Sequence, residues 1–397
     1  MKLNSDSYMI RILAGAVVFT MTLASINAQT IRWAPLNPDF IKHQQEHCQK
    51  VAGVQTVSEH GRGYIPPPVD FSYLKGRTPE NIYSLQTLPS SYDLRTRGKL
   101  MPIKQQHPYG TCWAFATYGS LESNLLIAET NDFSENNLAN MHGFDCGFND
   151  GGTYVMSMAY LARWSGPINE TDDPYPNPGH SPSNLIVRKH VQEVTIIPGR
   201  TNSLDNTIIK QAVMSYGAVA VSLYADFDTN LYFNATNAAS YYNGNSNTDH
   251  GVDIVGWDDD YAAGNFKQAP PGNGAFIVRN SWGTNWGDHG YFYCSYYDSK
   301  MAVEASALFN NGESATNYDS VYQYDPLGWV NSIGYDANNN TAWGAAIFTA
   351  TNNETLRAVG FYTTDLNVNY QIYVYGNITA GNPRNGTLIA SQSGSMA

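Results

Sequence analysis

Cys112 stands in the run Gln105–Ala116, Gln-Gln-His-Pro-Tyr-Gly-Thr-Cys-Trp-Ala-Phe-Ala, which restricts the possible fold more than any other stretch. It reads as a loop turning into a helix at Gly110-Thr111, with the cysteine on the first helical turn. Unpaired backbone N–H groups and the positive end of the helix dipole favour an anion there. They therefore favour a thiolate, the reactive form of cysteine. Taken alone, Cys112 also reads as a small buried hydrophobe. Beyond it, Trp113, Ala116, Tyr118, Leu121, Leu125 and Ile127 recur at helical spacing, which predicts one long helix with its apolar face on a core. Glu122 in that helix reads as a solvated or paired carboxylate.

A chain of 397 residues is long enough for two domains, since single cores stop growing at roughly 250–300 residues. The net charge of −12 argues against nucleic acid and anionic membranes as partners. Lys2 and Arg11, the apolar run Ile12–Leu23 and the small-residue exit at Ala28 read as a signal peptide over residues 1–28. That apolar run is too short to span a bilayer comfortably, so no membrane span is expected after its removal. The four cysteines do not make a disulfide scaffold in a chain of this size.

Residues 29–87 read as a lightly structured segment, either an exported linker or a prosegment lying across an active site. A helix should start at Asn37-Pro38-Asp39 and carry Phe40, Ile41, Gln44 and Cys48, and Pro66-Pro67-Pro68 favours extended chain. Further on, Ser134 reads as the N-cap of a second helix. Gly151-Gly152 is either a turn or a place where bare backbone approaches an extended ligand. Ile208, Ile209, Ala212, Val213 and Tyr216 predict a helix stopped by Gly217, followed by a strand over Ala218–Tyr224. Residues 225–247 read as an insertion without a legible role, and Asp258–Gly272 as a solvated acidic loop.

Thr248-Asp249-His250-Gly251 opens a strand, Val252–Trp257, whose apolar character predicts a central position. A strand over Ala275–Arg279 runs into Asn280-Ser281-Trp282-Gly283. An Asn oxygen there can accept an imidazole N–H, and Trp282 can shield that bond from water. His250 lies 138 residues after Cys112 and Asn280 lies 168 after it. The acidic loop Asp258–Gly272 lies between His250 and Asn280 and lengthens the second separation.

These motifs, with Leu88-Pro89, Asp93-Leu94-Arg95, Gln106 six residues before Cys112 and Cys-Trp-Ala-Phe-Ala at Cys112–Ala116, resemble the papain family of cysteine peptidases over residues 88–304. Tyr109 and Asn149 stand where that family often has a pair of cysteines, so a bridge there is not expected. The resemblance implies an α+β, papain-like two-lobe fold, a helical lobe plus a β-barrel-like lobe. It implies Cys112, His250, Asn280 and Gln106 as catalytic residues; Gly151, Gly152, Asp249 and Trp282 as substrate-binding residues; and no cofactor or metal. Cys146 and Cys294 could pair in an oxidising compartment, although the resemblance places them on either side of the cleft.

Residues 305–397 carry short alternating runs, Val321–Tyr324, Ala345–Thr349, Leu356–Thr363 and Tyr370–Tyr375, and read as a C-terminal antiparallel β-sandwich, not obviously complete. It resembles the lectin-like domain that follows papain-like units in some prokaryotic exported peptidases, which implies cell-surface carbohydrate as a ligand. The expectation is an exported, monomeric thiol endopeptidase acting on protein or peptide substrates in an extracellular, periplasmic or cell-surface location. The competing reading is an adhesion or carbohydrate-binding protein that keeps the papain-like unit as a scaffold.

Overall fold

The computed structural model describes residues 60–79, 82, 87–126, 128–228, 231–328, 333–334, 341–361, 368–379 and 382–396, with 32–33, 42 and 45. The signal peptide, the helix expected near Asn37 and Ile127 of the long helix lie outside these residues, except for positions 42 and 45. The chain divides into two compact units, Asp39–Asp319 and a second made of Met1–Pro38 with Ser320–Ala397.

In the larger unit β1 (Ser91–Asp93) precedes α1 (Cys112–Leu125), α2 (Glu135–Met141) and α3 (Tyr154–Ala162). The caps are those the sequence demands. Ser134 accepts a hydrogen bond from the Asn137 N–H, and Thr153 accepts one from Met156, each satisfying an orphan donor of the first turn. Then follow β2 (Lys189–Ile197), α4 (Thr207–Tyr216), β3 (Val219–Leu223), β4 (Phe233–Asn234), β5 (Ala239–Ser240), β6 (His250–Asp258), β7 (Ala275–Arg279), β8 (Tyr291–Ser295) and β9 (Ser306–Ser314). All nine strands form one sheet in the order β2-β9-β3-β6-β7-β8-β5-β4, with β1 paired to β6. Every pairing is antiparallel except that of β5 with β8.

α1 is more deeply placed than a one-faced helix. All of its residues except Asn124 are buried, because β3, β6 and β9 pack on one side and α2 and α3 on the other. It therefore separates two cores. Trp113, Tyr118, Leu121, Phe133, Leu138 and Tyr160 belong to the helical one, and Leu94, Val213, Ile254, Trp257, Phe276 and Phe292 to the one on the sheet. Glu122 is paired rather than solvated. Lys104 reaches its carboxylate at 3.0 Å and that of Glu135 at 2.8 Å, and the Phe133 N–H donates to it at 2.9 Å.

Two expectations change at the C-terminal side. The run after Ala305 is not the start of a separate domain: β9 pairs with β2 along its length, from Ser306↔Ile197 to Ser314↔Lys189, and the larger unit continues to Asp319. In the second unit the described residues hold one antiparallel hairpin, β10 (Val368–Gly376) with β11 (Thr387–Met396), and a two-residue pairing of Arg32–Trp33 with Ile333–Gly334. Val321–Tyr324, Ala345–Thr349 and the described part of Leu356–Thr363 carry no ladder. Their aromatic rings meet by local stacking instead, Tyr324 on Phe348 at 4.8 Å.

Candidate active site

Because β6 and β7 are antiparallel, the first residue of one and the residue after the other share an edge of the sheet. The register Asp253↔Arg279, carried one pair further, puts Asn280 opposite Val252 and on the same face as His250. The result is a 2.8 Å hydrogen bond between His250 Nε2 and Asn280 Oδ1. The Trp282 ring covers it, 4.7 Å from the imidazole centroid. His250 Nδ1 is buried without a hydrogen-bond partner among the described residues, so it is the nitrogen left over for a thiol.

Cys112 opens α1, and the Thr111 side chain does not cap that helix; its hydroxyl pairs with the Tyr175 hydroxyl instead, at 2.7 Å. Of the first-turn N–H groups, that of Ala114 donates to the Thr111 carbonyl at 2.9 Å, and those of Cys112 and Trp113 are left free of the Thr111 side chain. The Cys112 sulfur accepts from the backbone N–H of Gly251 at 3.2 Å, the residue next to His250, and the backbone N–H groups of Gly63 and Trp113 lie where they favour its thiolate. The loop before it is held without sulfur chemistry. Asn149 Oδ1 accepts the Gly110 N–H at 2.5 Å, and the Tyr109 ring stands edge-on to Phe148 at 5.3 Å. These are the positions where the resemblance places two cysteines. Gln106 is fully buried; its Oε1 accepts from the Ser281 hydroxyl at 2.6 Å, and its Nε2 donates to the Tyr109 carbonyl at 2.8 Å and toward the groove.

The groove is filled by the chain's own residues 60–65. Tyr64 forms a parallel bridge with Gly152: the Ile65 N–H donates to the Gly152 carbonyl at 3.0 Å, and the Gly152 N–H donates to Gly63 at 2.8 Å. The N–H groups of Gly63 and Tyr64 both donate to the Asp249 carbonyl, at 3.1 and 3.0 Å. Arg62 ion-pairs with the carboxylates of Asp249 and Asp228 at 3.0 and 3.1 Å. Gln106 Nε2 donates to the Gly61 carbonyl at 3.2 Å, and the His60 ring stacks on Trp282 at 4.8 Å.

This cover reverses the ionisation expected from the helix terminus. Burial pushes the Cys112 thiol up to about 12, against the lowering effect of the three backbone N–H groups. Burial likewise pushes the His250 imidazole down to about 3. With water excluded, desolvation outweighs the dipole, and both groups are neutral near pH 7.

All eight residues singled out in the sequence meet in or beside this groove. Gly151, at φ +88° with the Gly63 carbonyl 2.6 Å from where its β-carbon would be, and Gly152 supply the bare backbone. Asp249 contributes a carbonyl as well as a carboxylate. Cys146 is disulfide-bonded whereas Cys294 is free and buried, so the two do not pair. Sequence reasoning missed Arg62, Gly63 and Tyr64. The one local signal was Gly61-Arg62-Gly63-Tyr64, two glycines flanking a cation just before the proline run.

The family described as papain family cysteine protease matches residues 88–310. The chain belongs to the papain family. A lectin-like domain matches residues 321–397 behind the papain-family unit. Cysteine proteinase 2 of Dictyostelium discoideum is 29% identical over 276 residues, 60% of this chain and 72% of that protein. Cysteine proteinase 15A of Pisum sativum is 30% identical over 243 residues, 56% of this chain and 64% of that protein. Across such papain-family relatives the matched part runs from about half to three quarters of their length. Among solved structures, the clostridial cysteine protease Cwp84 after propeptide cleavage is 28% identical with a TM-score of 0.54, covering 59% of this chain and 61% of that one. The cysteine protease and lectin-like domains of Cwp84, a surface layer associated protein of Clostridium difficile, share the fold at a TM-score of 0.60 and 23% identity, covering 79% and 67%. No helix among the described residues is long and apolar enough to cross a membrane.

Proposed function

We propose that this papain-family chain is an exported cysteine endopeptidase made in latent form, with residues 60–65 as the plug of its own cleft. The observation that carries the reading is the hydrogen bond of His250 to Asn280 beside a cysteine sulfur held at a helix start. Once the groove is open to a peptide, Cys112 loses its proton to His250 Nδ1 and attacks the carbonyl carbon. Asn280 keeps the ring turned so that Nδ1 faces the sulfur. The Gln106 amide and the Cys112 N–H bind the oxyanion. His250 then gives the proton to the leaving amine, and water, deprotonated by the same imidazole, hydrolyses the thioester and restores the thiol.

The plug resists this chemistry because of what it presents. The Gly61 carbonyl takes the Gln106 donor, and the Asp249 carbonyl is taken by the N–H groups of Gly63 and Tyr64, so the groove's own donors and acceptors are already paired. The segment therefore occupies the groove in the place a substrate would take. Attachment at the cell surface through carbohydrate is the role that suits the lectin-like part. There Trp343 and Tyr373 are exposed and stack nearly parallel at 6.3 Å.

Turnover of peptide substrates under reducing conditions, before and after cleavage near Leu88, tests the proposal. The expected result is activity that rises on cleavage, is blocked by an epoxysuccinyl thiol inhibitor and is lost in Cys112→Ala. Activity that survives in Cys112→Ala, or is equal in intact and cleaved protein, would overturn the enzymatic or the latent part respectively.

A further inference from the structure

Gln106 and Cys112 lie at the two ends of one loop, six residues apart, and a single phenol ties those ends together. The Tyr175 hydroxyl donates to the Gln106 carbonyl at 2.6 Å and lies 2.7 Å from the hydroxyl of Thr111, the residue before Cys112. A carbonyl only accepts and a phenol has one proton, so the Thr111 hydroxyl is the donor in the second bond. The bonds run one way, from Thr111 through Tyr175 to Gln106, and span the loop. The phenol itself is held from outside the loop. Its ring stands edge-on to Phe115 of α1 at 4.9 Å and stacks on Phe148 at 5.9 Å. The Tyr175 backbone N–H donates to Glu170 Oε1 at 2.8 Å. Two residues earlier, the Asp173 carboxylate accepts from the side-chain amides of Asn136 and Asn137 in α2, at 2.7 and 3.0 Å. The position of the hydroxyl is therefore set by α1, α2 and their aromatic packing, and the loop takes its shape from it.

We propose that Tyr175 is a positioning residue of the peptidase, whose hydroxyl sets the Gln106 donor at its working distance from the Cys112 N–H. This rests on the peptidase reading and adds to it a residue that acts through Gln106 and Thr111. An oxyanion donor contributes only when it is preorganised where the charge develops, and a misplacement of about 1 Å costs about 10² in rate. Without the phenol hydroxyl the Gln106 carbonyl keeps the Tyr109 N–H at 3.1 Å, a partner within the same loop that anchors it to nothing outside. The Thr111 hydroxyl is then released to turn onto the start of α1, where threonine is a favoured cap. Both changes slacken the tie between the two donors.

Tyr175→Phe keeps the ring and removes only the hydroxyl. In the full chain cleaved near Leu88, its kcat should fall about tenfold with KM little changed, a misplaced donor costing less than a missing one. In a Gln106→Ala background the same substitution should change kcat by no more than about twofold, because the donor it places is gone. Iodoacetamide labelling of Cys112 in the cleaved protein builds no oxyanion and should stay within about twofold. An unchanged kcat would overturn the proposal. So would an equal fall in both backgrounds or a parallel loss of labelling, since either marks a general loosening of the fold. A second readout needs no turnover: affinity for a peptide aldehyde. The thiol adds across its C=O, sulfur bonding to carbon while the oxygen takes the electron pair and then the thiol proton, so that oxygen forms where an oxyanion would. Tyr175→Phe should weaken this binding about tenfold. A chain that cleaves no peptide yet shows the weakening retires the peptidase reading and keeps the positioning. One that cleaves peptides with kcat and aldehyde affinity unmoved by the substitution does the opposite.

Discussion

Gly63 and Gly110 pack backbone against backbone so closely that a β-carbon on Gly63 would lie 1.9 Å from the Gly110 carbonyl oxygen. Gly110 is fixed by Asn149 two residues before the sulfur, so the plug and not the loop has to yield. Gly63→Ala should therefore expel residues 60–65 while the rest of the unit stays folded. Iodoacetamide labelling of Cys112, followed by intact-mass spectrometry, should be at least about tenfold faster than in the unaltered chain. The thermal midpoint read alongside shows that the fold survives. An unchanged labelling rate would mean that the segment does not close the groove.

The pH dependence of that labelling follows from the shifted thiol. With a pKa of about 12, the thiolate is about 10⁻⁵ of the total at pH 7. The rate in the intact chain should climb throughout the alkaline range, whereas Gly63→Ala should react at neutral pH. A neutral-pH plateau in the intact chain would contradict the burial.

His250 gives the acid side. Its folded value of about 3 lies below the ordinary 6.5. Between those values any open or unfolded state binds a proton that the closed state does not, so the closed state loses stability as pH falls. Cleft opening, read by Cys112 accessibility after correction for thiolate fraction, should increase between pH 6.5 and 4.

In the opened enzyme Gln106→Ala should lower kcat by about 10²–10³, the usual loss for one oxyanion donor. Substrate affinity should change little. A drop confined to KM would place Gln106 in ground-state binding instead.

Lys104 joins the buried carboxylates of Glu122 and Glu135 beneath the start of α2. Lys104→Met leaves two buried carboxyl groups without their shared cation, and removing one partner of such a cluster typically costs about 3–5 kcal/mol. Urea unfolding should show a loss of that size. Adding Glu122→Gln and Glu135→Gln should recover part of it.

Much of this was readable where the signal is local. The cysteine at the start of α1, the Ser134 cap, the stop of α4 at Gly217 and the burial of β6 each depend on a few neighbouring residues, and each stands as the sequence predicts. The His250–Asn280 bond was readable because a strand start and a strand end had to share an edge. The plug was not, because its hydrogen bonds go to Gly152 and Asp249, far along the chain, and nothing in Gly61-Arg62-Gly63-Tyr64 names those partners. The ionisation of Cys112 departs from the expectation because a helix dipole favours a thiolate only where the terminus is wetted, and here it is covered. β9 was assigned to the tail because Ser306–Ser314 looks like any other short strand until its ladder with β2 is seen. In the tail the opposite happened, since alternation at Val321–Tyr324 and Ala345–Thr349 is taken up by ring stacking without a ladder.

The amide of Asn149 has a consequence for how the cysteine can be handled. A clamp made of one N–H and one side-chain carbonyl forms as soon as the loop folds, with no oxidant and no isomerase. Millimolar dithiols, which keep Cys112 in its thiol form, have nothing to sever there. The Gly110–Asn149 contact and the reduced nucleophile are thus compatible under one and the same condition, the bond at Cys146 being a separate one.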